Sequence, residues 1–233
     1  VHLKASTGTA NEQQRAREVD SLRKVTNNLP AGTSYMVVGD FNIYGSLEPA
    51  YVKLLQVNVN NTGHFIDPVP NMTGTWRNFA YRQHHTQSPR VRSFGGGATG
   101  GMDDRFDLTL FSPSVSTGGR IVYTANSLTP YGNDGNHYND SINRPPNTAV
   151  PDSVADAIHY ASDHVPVFAS FVFGIPIGIT NLSGEIPAAF ELGQNFPNPF
   201  NPSTVIRFSV PPSEENSANI RLQIFDNLGR YIS

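Results

Sequence analysis

Twenty glycines and 18 prolines spread through 233 residues cut this chain into short elements joined by many turns and loops. Its fold must be assembled from small pieces, and no apolar run approaches the length of a membrane span. Hydrophobic residues make up 38% of the chain, enough to fill a core without surplus. The length suits one large domain plus a small one. There are no cysteines, so disulfides and thiolate metal sites are excluded and robustness has to come from packing or a bound metal. With 15% charged residues and a formal net charge of −3, bulk positive charge is not available to hold nucleic acid.

Hydrophobic spacing places the elements. Residues 1–5 read as a strand, and no signal peptide is visible in the sequence; a chain that opens inside a strand is expected to be a fragment lacking an N-terminal part. Asn11 suits a helix cap, and Ala16, Val19, Leu22, Val25 and Leu29 recur at helical spacing up to the stop at Pro30. Residues 35–38 form a short β-rich run ending in Gly39-Asp40-Phe41-Asn42. Ser46 suits the cap of a second helix, with Pro49 in its first turn and Tyr51, Val52, Leu54 and Leu55 facing inward. Residues 108–111, 120–124 and 165–173 read as further strands, and 126–153 as a long polar loop. Residues 174–187 read as a linker, after which Asn-Pro turns and alternating runs at 206–210 and 220–225 read as a small separate β unit.

Ionisable groups gather where these strands begin or end. Asp40 and Asn42, two apart in an extended segment, project to one side, with Phe41 opposite. A carboxylate beside an amide suits a metal-bound water and a phosphate oxygen; the same tetrapeptide also describes an Asx-type turn closing a strand. Asp107 stands at the entrance to residues 108–111. Asp163 and His164 precede a strand, and a carboxylate that orients a neutral imidazole makes it a better general base. His2 lies in the first strand, where a lone histidine is more often structural.

Taken together, "HLKA" (2–5), "GDFN" (39–42), "FDLTLFS" (106–112) and "SDHVPV" (162–167) resemble the endonuclease/exonuclease/phosphatase superfamily, the deoxyribonuclease I-like fold, with "GTW" (74–76) where that family often has a threonine-bearing strand. The resemblance covers residues 1–173 and implies an α+β fold, a four-layer α/β-sandwich that is incomplete here. It implies a phosphodiesterase dependent on Mg²⁺, with Mn²⁺ or Ca²⁺ as alternatives. By motif, Asp40 and Asn42 would position phosphate and water. Asp107 would orient His164 as base or phosphate-stabilising group. Asp163, with Asp40, would serve the metal, and His2 would contact phosphate or help the leaving group. The family's early asparagine and metal-binding glutamate have no counterpart before His2, and Glu12 and Glu18 come too late in order to replace them.

The basic stretch 76–105, acid-free as far as Met102, carries arginines among aromatics, and Trp76, Arg77 and Arg105 are its candidates for substrate contact with nucleic acid; the plainer alternative is a solvated loop whose aromatics cover the core. The loop "YGNDGNHYND" (131–140) has spaced oxygens of the kind that hold Ca²⁺, without an EF-hand pattern. Residues 188–233, through "NFPNPFNPSTVIRFSVP" (195–211) and "LQIFDNLGRYIS" (222–233), resemble a partial type A sorting domain of type IX secretion, an Ig-like β-sandwich. That implies type IX secretion machinery as partner and a secreted or surface protein of a Gram-negative bacterium. The expected function is therefore a secreted nuclease acting on DNA or RNA. A sphingomyelinase-like lipid phosphodiesterase and a non-catalytic surface binding module are the alternatives.

Overall fold

A computed structural model describes residues 1–69, 71–118, 120–174, 189–199, 201, 203–211, 223–226 and 228–231. The chain divides into two compact units, Val1–Pro176 and Ile177–Ser233.

In the first unit, helix α1 spans Thr9–Thr26. Of the expected apolar face, Ala16 and Val19 are buried and Leu22 packs against the core, whereas Val25 is exposed. Two arginines and Thr26 take the remaining interior positions. Arg15 Nε is 2.5 Å from Glu48 Oε1, and its Nη1 donates to the carbonyls of Lys4 and Ser6. Arg23 donates to the carbonyls of Lys53, Leu54 and Gln56, the last carbonyls around helix α2 (Pro49–Leu55). A guanidinium thus satisfies acceptors that a helix C-terminus leaves without partners, and it ties α1 to α2.

Strand β1 (Met36–Asp40) pairs antiparallel with β2 (Asp107–Phe111), Asp40 opposite Asp107. The core lies against this pair and holds Leu3, Val19, Phe41, Ile43, Leu54, Phe65, Trp76, Leu108 and Leu110. The N-terminal segment crosses β1 so closely that a Cβ on Gly39, whose φ is +140°, would meet the Val1 carbonyl oxygen at 2.0 Å. This approach requires glycine. Residues 1–5 form only a single parallel bridge, His2 with Asp40, rather than a strand.

A 3-10 turn occupies Phe79–His84 and a short helix, α3, Pro113–Ser116. Strand β3 (Ile121–Tyr123) pairs with β6 (Phe171–Phe173), and β4 (Thr129–Pro130) with β5 (Val167–Phe168). The run expected as one strand over 165–173 is thus divided between two sheets. Helix α4 (Asp152–Ala161), hidden from sequence reading by the polar loop before it, buries Ala155 and Ile158. Ile158 joins Met102, Ile142 and Val165 in a second apolar cluster.

In the second unit, β7 (Glu191–Leu192) pairs with β8 (Phe208–Ser209), and isolated bridges join Phe196 to Val205 and Phe225 to Tyr231. Of the strand expected over 220–225, only its last residues are described, and most of the expected linker at 174–187 lies outside the described residues.

The expected architecture needs correction. Among the described residues the strands make four separate two-stranded sheets. Among the described residues neither a four-layer deoxyribonuclease I-like sandwich nor an Ig-like sandwich is assembled, and the first unit is a small α+β domain. The physical cause is visible at the strand ends: β1 stops where Asn42 turns to a φ of +51°, and β4 and β5 are only two residues long. Among the described residues no helix is long and apolar enough to cross a membrane.

Candidate acid–base site

The β1–β2 register sets two carboxylates side by side, Asp40 leaving one strand and Asp107 entering the other. The backbone N–H of Asp107 donates to Thr86 Oγ1 at 3.1 Å, and the N–H of Val165 donates to the Thr86 carbonyl at 2.9 Å. Thr86 therefore holds the start of β2 and the segment bearing His164 together. The result is a hydrogen bond of 2.6 Å between His164 Nδ1 and Asp107 Oδ2. His164 Nε2 lies 3.8 Å from Asp40 Oδ2, and His2 Nε2 lies 3.5 Å from the same oxygen. These groups line an open cleft of about 610 Å³ that also includes Asn42, Tyr44, Gln87, Ala98 and Asp163.

Burial works against a charged imidazole at His164. The hydrogen bond and charge of Asp107, with Asp40 and Asp163 behind, outweigh it and raise the pKa above that of an ordinary histidine. Burial raises the Asp40 pKa, opposed by the Asn42 backbone N–H and the charge of His164, with Asp107 adding to the rise. The ring therefore sits between two carboxylates, which stabilise the imidazolium that forms when Nε2 accepts a proton.

Asp40 and Asp163 also accept hydrogen bonds from within the chain. Asp40 Oδ1 accepts the Asn42 backbone N–H and Oδ2 accepts the Asn42 side-chain amide, both at 2.9 Å. That amide also donates to the Leu3 carbonyl. Asp163 Oδ2 accepts the Ala98 N–H at 2.7 Å. Burial alone would raise the Asp163 pKa, but this N–H and its own, with His164 and Arg90, hold it below the ordinary range. Asp163 thus fastens the glycine-rich segment 95–101 to the cleft wall. A Cβ on Gly97, whose φ is +83°, would stand 2.8 Å from that carboxyl group.

This arrangement overturns the metal assignment. Among the described residues no group of three or more histidine, aspartate or glutamate side chains is placed to hold a metal ion. The Mg²⁺, Mn²⁺ or Ca²⁺ centre expected from the motifs is therefore not built among the described residues. The metal-dependent phosphodiesterase and nuclease reading falls with it, as does the lipid phosphodiesterase alternative. The oxygens of 131–140 are likewise used internally. Asp134 accepts from Asn136 and Thr148 and pairs with His137.

His2, Asp40, Asn42, Asp107, Asp163 and His164 all line one cleft. The three candidates for substrate contact lie apart from it. Trp76 is buried in the core, with its indole N–H donating to the Met72 carbonyl. Arg105, equally buried, forms a two-pronged pair with Asp67. Arg77, half-exposed, pairs with Asp103 and Asp104. Gln87, which no motif marks, places its amide nitrogen 2.6 Å from His164 Nε2.

No protein-family model, no curated protein and no solved structure matches this chain. The resemblances to the endonuclease/exonuclease/phosphatase superfamily and to the sorting domain, carried by short motifs, are therefore not supported as relationships of the chain.

Proposed function

We propose that the cleft is a metal-independent proton-transfer site in which His164 deprotonates a water or hydroxyl group for attack on an electrophilic carbon of a neutral or cationic ligand. The observation that carries this reading is the 2.6 Å bond from His164 to Asp107 at the wall of an open cleft. Nδ1–H is committed to Asp107, so the Nε2 lone pair is the atom that takes the proton. As the oxygen bonds to carbon, its proton moves to Nε2, and the imidazolium rests between Asp107 and Asp40. The proton then passes to the departing group and the ring returns neutral. A general base so placed contributes about 10²–10⁴-fold to a rate.

The ligand's charge follows from the lining. Asp40, Asp107 and Asp163 make the cleft negative or neutral, which favours a neutral or cationic ligand over a polyanion. A nucleic-acid partner would have to be held outside the cleft, by the exposed Arg92 and the half-exposed Arg77. The test is turnover of 4-nitrophenyl acetate and of a trimethylammonium-bearing 4-nitrophenyl ester by the full chain in excess chelator. Turnover that survives chelation and is lost in His164→Ala is expected. Turnover equal in His164→Ala, or none from either ester, overturns the reading.

We propose in addition that the protein acts outside the cell or at the surface of a Gram-negative bacterium, with the second unit as an address for an outer-membrane export machinery. Two features support this: that unit is compact by itself and carries none of the cleft residues. Removing residues 188–233 should leave the protein inside the cell on fractionation; unchanged export would refute the role.

A further inference from the structure

Gln87 touches the one ring atom of His164 that the proposed chemistry needs. We propose that Gln87 is a positioning residue that keeps the Nε2 lone pair of His164 aimed into the cleft and covers it until a ligand hydroxyl takes the amide's place. The proposal rests on His164 being the base and adds how that base is held ready.

The geometry argues it from both ends of the ring. An amide nitrogen carries hydrogens and only donates, so at 2.6 Å from Nε2 it makes that ring atom the acceptor. Nδ1 then bears the ring proton and donates it to Asp107 Oδ2. Both contacts select the same tautomer. The glutamine is held by its backbone: its N–H donates to the Asp104 carbonyl at 3.0 Å, and its carbonyl accepts from Asp103 and Asp104 at 3.0 and 2.9 Å. It bridges Asp104 on one side and His164 on the other, so the amide projects from a segment trapped between two others.

The other groups facing the ring act in the opposite sense. Asp107 from β2, Asp40 from β1 and the adjacent Asp163 all favour the charged imidazole, and His2 stands beyond Asp40. The Gln87 N–H favours the neutral ring, the form that accepts a proton. A ligand O–H that donates to Nε2 replaces this contact one for one, and the released amide N–H is free to donate to the ligand's oxygen. The ligand class that fits is a hydroxyl donor, water included.

The test is a ¹⁵N and ¹H NMR titration of the His164 ring in the full chain, its signals assigned by their loss in His164→Ala. In the wild type the neutral ring should carry its proton on Nδ1. Gln87→Met keeps the length but removes the donor, and the titration midpoint should rise by about 0.5–1 pH unit, the size of one hydrogen bond. Gln87→Asn, whose amide falls short of the ring, should raise it in the same direction and serves if the methionine variant does not fold. A midpoint that stays or falls, or a neutral ring protonated at Nε2, overturns the proposal. The two readings fail separately: turnover surviving in His164→Ala removes the base, whereas an unmoved midpoint with turnover lost in His164→Ala removes only Gln87.

Discussion

The first unit contains two aspartate–histidine pairs of nearly the same length that have opposite fates. His137 Nδ1 lies 2.8 Å from Asp134, and His164 Nδ1 lies 2.6 Å from Asp107. The His137 ring is buried, and its Nε2 is 2.7 Å from the Arg144 carbonyl. Asp134 also accepts the backbone N–H groups of Asn136 and Thr148, and these help hold its pKa well below the ordinary range against the opposing effect of burial. Every strong bonding position of that pair is used to fold the 131–150 loop onto itself. At His164 the second nitrogen faces a cleft and the Gln87 amide. A carboxylate–imidazole bond therefore does not by itself mark chemistry; what meets the other nitrogen does.

The comparison breaks most clearly under paired deletion. His164→Ala should cost about 10²–10⁴-fold in chelator-resistant turnover and lower stability less than His137→Ala does, the least above the folded pKa of His164, where its proton-linked contribution is lost. His137→Ala should do the reverse. Losing one partner of a buried pair costs roughly 3 kcal/mol, read by urea unfolding, while turnover per folded molecule stays at the wild-type level. Equal effects of the two substitutions on both readouts would erase the distinction.

Proton linkage sharpens it next. Burial, with the charge of Asp104, pushes Asp103 up to about 6, so its neutral form is favoured by folding and its contribution declines as pH rises from the ordinary carboxylate range through about 6. The folded pKa of His164 is also raised, so its contribution is complete below the ordinary histidine value and is lost as pH rises through the folded one. Urea unfolding across pH should show stability falling through both windows, and the upper decline should shrink in Asp107→Asn. A rise in stability across the upper window would refute the linkage.

The smallest expected effect concerns the cleft wall. Gly97→Ala imposes a left-handed backbone cost of about 1–2 kcal/mol and crowds the Asp163 carboxyl group. Asp163→Asn weakens the same contact from the other side. Amide exchange over 95–100 should quicken about tenfold in the alanine variant and less in the asparagine variant. Unchanged exchange in both would show that Asp163 does not fasten the segment.

The motifs marked residues that the fold gathers along one cleft, and the metal role drawn from them is overturned. Asp40, Asn42, Asp107 and His164 stand out because strand ends project polar groups into one region, and the antiparallel register then joins them. A sequence shows that Asp40 and Asp163 are carboxylates but not whether a third ligand stands beside them, and that is where the metal expectation failed among the described residues. Arg105, expected at the substrate, is instead buried against Asp67, and Arg15 and Arg23, which no motif marks, are buried against carbonyls and a carboxylate distant in sequence. Helix α4 went unseen because Asn, Pro and Gly dominate the loop leading into it. Gln87 gives no signal at all, since its role depends wholly on the tertiary position of His164.

The most direct measurement is the pH–rate profile of the wild type and Asp107→Asn in excess chelator. A raised His164 pKa means the base becomes available only as pH climbs above the ordinary histidine value. Removing the Asp107 charge lowers that pKa, so the rising limb should move to lower pH while its plateau drops. A limb that does not move, or turnover that disappears with the chelator, would contradict a metal-independent Asp107–His164 base.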